Sequence, residues 1–290
     1  MMLAFVNLLR ASQWVKNLFI FIPAFFAGVL FDAYNIALLI TAFLAFSSVA
    51  SAIYIFNDYN DIQEDRNHPV KKFRPIASGQ VSEGSALTVM LGLLVFGLCL
   101  AYLVNTTFLI ILVSYLIINF GYSQGLKKIS ILDIIIIAIG FVLRTLAGAA
   151  VVNVLVSHWL IIMIFLLALF MALAKRLDDV IVTEQGDGKV SRANAKKYNL
   201  HFIHSGISML SAVIVVAYIM YTLSDEVPDY FGSEWLYFTS IFVITGLLRY
   251  LQITLVEGQS GSPTQILYKD KFTLINILCW ILSFLFIIYF

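Results

Sequence analysis

Charge is what this sequence has least of. Only 12% of its 290 residues are Asp, Glu, Lys or Arg, against roughly 25% in soluble domains. So little charge excludes an ordinary water-covered surface. Cysteine is also scarce: Cys99 and Cys279 are the two in the chain, and both fall inside apolar runs. They read as small buried hydrophobes, which excludes a disulfide framework and a thiolate metal site. Histidine offers no better metal centre, because His201 and His204 are helix neighbours with no nearby third ligand and His158 lies at the opposite end of a span. There is no strong repeat and no low-complexity segment. No small-residue cleavage site follows Arg10 and Lys16. The first apolar run is therefore read as a span and not as a removed signal peptide.

What is there is hydrophobic: 61% of the residues, with a mean hydropathy of +0.94. Runs of about 20 apolar residues follow one another, the pattern of a polytopic helical membrane protein. Lipid cannot satisfy an open backbone, and the runs are too long for barrel strands. The expected fold is all-α, a single transmembrane domain over 1–290. Nine spans are expected, at about 14–31, 36–56, 85–104, 107–124, 132–152, 157–174, 203–223, 235–253 and 272–290. They would surround a central cavity opening to the cytoplasm.

The net charge of +1 says little, but its placement says more. Bases gather in alternate connections, at 57–84, 125–131, 175–202 and 254–271. The other connections carry none and hold Asp32, Asp225, Glu226, Asp229 and Glu234. The positive-inside rule then places the N-terminus and the long loops in the cytoplasm and the C-terminus outside. A weak architectural echo also exists, since spans 2 and 6 both end in charged stretches that face the same way. That pattern suggests a parallel duplication.

The chain is organised around 57–79. Asp58, Asp61 and Asp65 are spaced i, i+3, i+7. If span 2 continues as helix past Phe56, they lie on one face, with Asn57 at its membrane edge. Three like charges on one face repel, and a bound divalent cation reverses that. Hard oxygen ligands without His or Cys suit Mg2+, which keeps waters and bridges to substrate phosphates. Arg66, Lys71, Lys72 and Arg74 follow, and a fold-back would set phosphate-binding forks over the acids. Acids for a metal and bases for phosphate are the equipment for stabilising a departing pyrophosphate. A solvated loop would explain the bases, but not the face-matched acids at a helix end.

Other polar positions add to this. Arg144 sits about a dozen residues into span 5, where a charge is expensive and faces a polar cavity or a partner. Asp133, at the start of that span, reads equally as a metal or ribose contact or as a helix N-cap. Tyr122 and Ser123 offer hydroxyls, and Lys127 and Lys128 close span 4. Lys175 and Arg176 close span 6 with Asp178 and Asp179, either of which could face inward, and Glu184 and Asp187 follow. At the opening of span 1, Arg10, Trp14, Lys16 and Asn17 read first as interfacial belt chemistry, with Lys16 and Asn17 also able to face the site.

These residues resemble a known group. Asn57-Asp58-x-x-Asp61-x-x-x-Asp65 is similar to the first aspartate-rich motif of the UbiA superfamily of intramembrane prenyltransferases. Asp65-Arg66-x-His68-Pro69-x-Lys71-x-x-Arg74-Pro75-Ile76-Ala77-Ser78-Gly79 looks like the branch that makes decaprenyl-phosphate phosphoribose. Arg10-x-x-Gln13-Trp14-x-Lys16-Asn17, Tyr122-Ser123-x-x-Leu126-Lys127, Leu132-Asp133, Gly140-Phe141-x-x-Arg144-x-x-Ala147-Gly148, Lys175-Arg176, Leu248-Arg249-Tyr250 and Asp270 fit the same branch. The matches run through nearly the whole chain.

The resemblance implies transfer of 5-phosphoribose from phosphoribosyl pyrophosphate to a polyprenyl phosphate. Asn57, Asp58, Asp61 and Asp65 would hold Mg2+ and pyrophosphate. Lys71 and Arg74 would grip phosphates, with Lys16, Arg66, Tyr122, Lys127, Asp133, Arg144, Lys175 and Arg176 as further substrate contacts. Aromatic prenyltransferases of the superfamily carry a second acidic motif with acids three or four apart. Here Asp178 and Asp179 are adjacent, which weakens that alternative. A transporter would explain Arg144 but not the clustered aspartates. The expected partners are the two substrates and the bilayer of a bacterial or archaeal cell membrane, with no nucleic acid. A homo-oligomer is left open.

Overall fold

The helices begin where short polar side chains satisfy otherwise orphaned backbone donors. Asp32 accepts from the Tyr34 and Asn35 amides at the start of the helix Ala33–Asn60. Ser82 caps the helix Glu83–Val104 through the Ser85 amide, and Asn105 caps Thr106–Gln124 through that of Phe108. In this computed structural model the described residues are 2–68, 70–185, 198–224, 234–257 and 269–289. Pro69, Asp187, Asp225, Glu226 and Asp229 lie outside them, as do the side chains of Asp178, Asp179, Glu184 and Glu234. Among the described residues there is no strand. The chain divides into two compact units, Met1–Val156 and Ser157–Phe290.

The first unit runs α1 (Met2–Leu9), a 3-10 helix (Ala11–Phe21), α2 (Ile22–Phe26), α3 (Ala33–Asn60), α4 (Ile62–Arg66), α5 (Glu83–Val104), α6 (Thr106–Gln124) and α7 (Leu132–Val152). Its centre is α3, whose inward residues Leu39, Ala42, Ala45, Phe46, Val49 and Ala50 are buried with Leu112, Tyr115 and Ala147. The small residues let neighbours come close, as is usual where apolar solvent gives helices no reason to associate except packing. A Cβ at Gly97 of α5 would lie 2.8 Å from the Ala45 carbonyl oxygen. One at Gly148 of α7 would collide with that of Ile20. Gly148 is thus what lets the 3-10 helix rest directly on α7.

That 3-10 helix is eleven residues long, whereas runs beyond about four are uncommon. Its packing on α3 explains it. Trp14 Nε1 donates to Ser51 Oγ at 3.0 Å, and Asn17 Nδ2 donates to Ser47 Oγ at 2.9 Å. Three residues of a 3-10 helix rise about 6 Å, and so do four of an α-helix. A stripe spaced i, i+3 therefore stays in register with an antiparallel α-helical stripe spaced i, i+4, and an α-helical segment with the same residues would not.

The second unit runs α8 (His158–Gln185), α9 (Leu200–Thr222), a 3-10 stretch (Glu234–Thr239), α10 (Ser240–Leu251), a π-helical turn (Gln252–Val256) and α11 (Lys271–Tyr289). Tyr218 Oη joins three of these, receiving a hydrogen bond from Trp280 Nε1 at 2.9 Å and bonding Thr239 Oγ1 at 2.7 Å. Phe170 of α8 meets Tyr250 of α10 edge to face.

Among the described residues, seven helices are long and apolar enough to cross a membrane: Ala33–Asn60, Glu83–Val104, Thr106–Gln124, Leu132–Val152, His158–Leu177, Leu200–Thr222 and Trp235–Val256. They match seven of the nine expected spans. The first expected span is drawn as the 3-10 helix and α2, and the last as α11, described as an apolar helix over Lys271–Ile287.

Candidate active site

One end of the first unit gathers its charge. α3 carries Asn57 and Asp58 in its last turn and closes at Asp61, whose φ of −95° and ψ of 8° depart from helix before α4 resumes. The expected single acidic face is therefore divided. Asp58 and Asp65 are 3% and 1% exposed, and Arg74 joins them. Its Nη1 lies 2.9 Å from Asp58 Oδ1 and 2.6 Å from Asp65 Oδ2. Asp58 Oδ1 also receives the Arg10 guanidinium. Asp61 is turned to a separate partner. Lys127 Nζ lies 2.6 and 2.8 Å from its two carboxylate oxygens, and Asn57 Nδ2 donates to it at 3.1 Å.

Chain turns place the bases. The segment after α4 folds back, with Arg74 N bonding Lys71 O at 2.9 Å and Val81 N bonding Pro75 O at 3.0 Å. Gly79, at φ 75°, closes that turn, and Ile76 and Val81 bury beside Leu8, Ile55 and Ile62. The fold-back expected for the basic residues is thus realised by Arg74. Arg66 plays a different part, since its Nε donates to the Ala77 carbonyl at 3.2 Å and ties the turn together. Lys71 is half-buried in the single 3-10 turn Lys71–Phe73.

Arg10 is the residue that reading for an interfacial belt passed over. It links α1 to the 3-10 helix at φ 50° and ψ 46°, a left-handed conformation that costs a non-glycine residue roughly 1 kcal/mol. The turn aims its guanidinium at Asp58 and over the Tyr54 ring, 5.3 Å from its centroid. A second positive-φ residue, Ile131 at 69°, starts α7 beside this end. Asp133 is buried two residues inside α7, so it is not the N-cap. Tyr122 lies on the last turn of α6, and Lys16 is half-buried on the 3-10 helix.

Arg144 has its partners inside the bundle. Its Nε donates to Asn17 Oδ1 at 2.7 Å, Nη1 to the Gly140 carbonyl at 2.7 Å and Nη2 to Tyr115 Oη at 2.9 Å. The rings of Phe46, Tyr115 and Phe141 surround it, with centroids 4.8 to 5.5 Å away. Neutral dipoles and ring faces thus replace the water that a buried guanidinium loses. In the second unit Lys175 is exposed and Arg176 is 3% exposed, both on α8.

Among the described residues no group of three His, Cys, Asp or Glu side chains is gathered as a metal cage. The donor set nonetheless fits a hard divalent cation. Carboxylate oxygens of Asp58 and Asp65 already converge on one positive atom, Arg74 Nη1, and Asn57 and Asp61 carry further hard oxygens of the type such an ion takes.

The UbiA prenyltransferase family model matches residues 17–275. The chain belongs to this family. It is similar to the decaprenyl-phosphate phosphoribosyltransferase of Mycolicibacterium smegmatis, with 30% identity over 286 residues, 95% of this chain and 89% of that one. Against the enzyme of the same name from Corynebacterium glutamicum the identity is 28% over 290 residues, 98% of this chain and 86% of the other. In fold it is similar to a UbiA homolog from Archaeoglobus fulgidus bound to DMAPP and Mg2+, with a TM-score of 0.71 and 20% identity over 98% of each chain. This family member is a transferase integral to the membrane.

Proposed function

We propose that this UbiA family member transfers 5-phosphoribose from phosphoribosyl pyrophosphate to a polyprenyl phosphate, and that Mg2+ is required. The reading is carried by one cluster: buried Asp58 and Asp65 share a base, Arg74, that can also grip phosphate. The name borne by relatives that match 95% or more of this chain supports it. The acceptor is a membrane lipid of the decaprenyl phosphate type, and its product serves cell wall synthesis. The charged end of the first unit faces the cytoplasm, where a soluble donor reaches it, and the N-terminus lies on that side. The family match, over residues 17–275, runs through both compact units, and this supports reading 1–290 as a single domain.

Asn57, Asp58, Asp61 and Asp65 would hold Mg2+. When bound, the ion neutralises charge building on the pyrophosphate as the C1–oxygen bond breaks. Arg74, Lys71 and Lys127 hold the donor phosphates and fix C1 facing the acceptor. An acceptor phosphate oxygen forms the new bond to C1 with inversion, and pyrophosphate leaves. Since that oxygen is already ionised, no residue has to remove a proton from it. Asp133, Tyr122 and Lys16 are assigned to the ribose and phosphate surroundings, and Arg66 supports them by holding the turn that carries Arg74. The family motif extends the same role to Arg144, Lys175 and Arg176.

The test is incubation of membranes holding the chain with labelled phosphoribosyl pyrophosphate, decaprenyl phosphate and Mg2+. Label should pass to the lipid fraction and disappear when EDTA is added. No lipid-linked label, with turnover of a prenyl diphosphate and an aromatic acceptor instead, would replace this reading by prenyl transfer.

A further inference from the structure

Three carboxylates and three bases meet at this site, and the pairing is one for one in charge. Asp58 and Asp65 face Arg10 and Arg74, and Asp61 faces Lys127. The side chains of Asp58 and Asp65 are 3% and 2% exposed, while those of Arg10 and Arg74 are 23% and 24% exposed. The acids are thus fixed in the floor, and the guanidiniums lie over them with one side open. A formally neutral cluster has little pull on a bare divalent cation, which would have to displace guanidiniums from the same oxygens. It has equally little pull on a bare pyrophosphate, because both guanidiniums are already engaged. If metal and pyrophosphate arrive together, the charges balance again.

From this we infer that Arg10 and Arg74 are resident counter-ions of Asp58 and Asp65 that pass to the donor's pyrophosphate when a divalent cation takes their place. Metal and pyrophosphate then bind with positive cooperativity, because each supplies the partner that the other displaces. The left-handed turn at Arg10 fits this role. It is strain kept at one position, where it delivers a guanidinium to the same Asp58 oxygen that Arg74 meets. The device rests on the assignment of the aspartates to the metal under the proposed function. It adds a residue, Arg10, and a sign to that assignment.

The sign gives a test. The full chain in nanodiscs is titrated with Mn2+ alone, followed by electron paramagnetic resonance, and with labelled inorganic pyrophosphate at saturating Mg2+. Removing a competing cation should help the metal and harm the anion. Arg10→Gln should bind Mn2+ about tenfold more tightly than the unaltered chain and pyrophosphate about tenfold more weakly. Arg74→Gln should move both affinities in the same opposed directions, and it serves as the second reading where a thermal melt shows that Arg10→Gln is not folded. If Mn2+ affinity is unchanged or falls in the folded variants, the counter-ion role is overturned. Asp58→Asn separates the two levels. Should Mn2+ bind it as it binds the unaltered chain, the metal assignment itself fails. Should it lose Mn2+ while the arginine variants gain nothing, only the exchange fails.

Discussion

Each unit has an arginine held by two carboxylates, and the two clusters are built for different ends. In the second unit Arg249 Nη2 lies 2.8 Å from Asp270 Oδ1, and its Nη1 lies 2.6 Å from Glu257. Asp270 also caps α11, accepting from the Thr273 amide at 2.9 Å and the Thr273 hydroxyl at 2.8 Å. The acids there are part-exposed, and each bond closes a helix end or a chain turn. In the first unit Asp58 and Asp65 are buried. Burying an ion costs several kcal/mol that its pairing offsets only in part. A clamp could be made more cheaply, as the second unit shows. Under the proposed function the buried aspartates serve to hold a metal ion and pyrophosphate, which the acids of the second unit do not.

The largest effect that would test this contrast is on turnover. Asp58→Asn keeps the shape but removes a charge from the proposed metal site, and transfer of labelled phosphoribose should fall by roughly 10²-fold or more. Activity at the full rate would put the first cluster on a level with the second. Arg74→Ala should destabilise the protein by about 3 kcal/mol, because two buried carboxylates lose their shared partner. That change reads as a lowered denaturation midpoint.

Asp270→Ala should cost only about 1 kcal/mol, the value of a helix cap, and should leave transfer within roughly twofold of the unaltered rate. A larger loss of transfer would draw the second cluster into the chemistry. The smallest effect is in acid. Hydrogen bonds from Arg249 hold the Asp270 carboxyl well below the usual carboxylate range. A depressed pKa contributes stability at pH values above the unfolded-state value, about 3.9 for aspartate. That contribution fades as pH falls below this value and is gone once the native carboxyl is protonated. Asp270→Asn should therefore melt below the unaltered chain near neutrality and converge with it in strong acid.

The spans were legible because lipid imposes long apolar runs, and seven of them became helices near the expected bounds. The fold-back of Arg74 was legible from bases following acids. Three features were not. The break at Asp61 leaves no mark in i, i+3, i+7 spacing, so the division of the aspartates between Arg74 and Lys127 could not be read. Arg10 stands beside Trp14 and Lys16, a composition that an interfacial belt explains equally well, and only its backbone turn reveals its target. The partners of Arg144 come from α6, α7 and the 3-10 helix, so the sequence could show that the charge needed partners but not which ones they were. One signal was available for the 3-10 helix: Trp14 and Asn17 are three apart, and Ser47 and Ser51 are four apart.

That helix also bears on how much membrane a short segment can cover. The eleven residues of the 3-10 helix extend about 22 Å, and the five of α2 add about 7 Å. Together they are as long as the hydrocarbon layer is thick, about 30 Å. An α-helix needs some twenty residues for that distance. A chain drawn out in this way trades backbone hydrogen-bond quality for reach, and it gains length with several residues fewer than an α-helix would need.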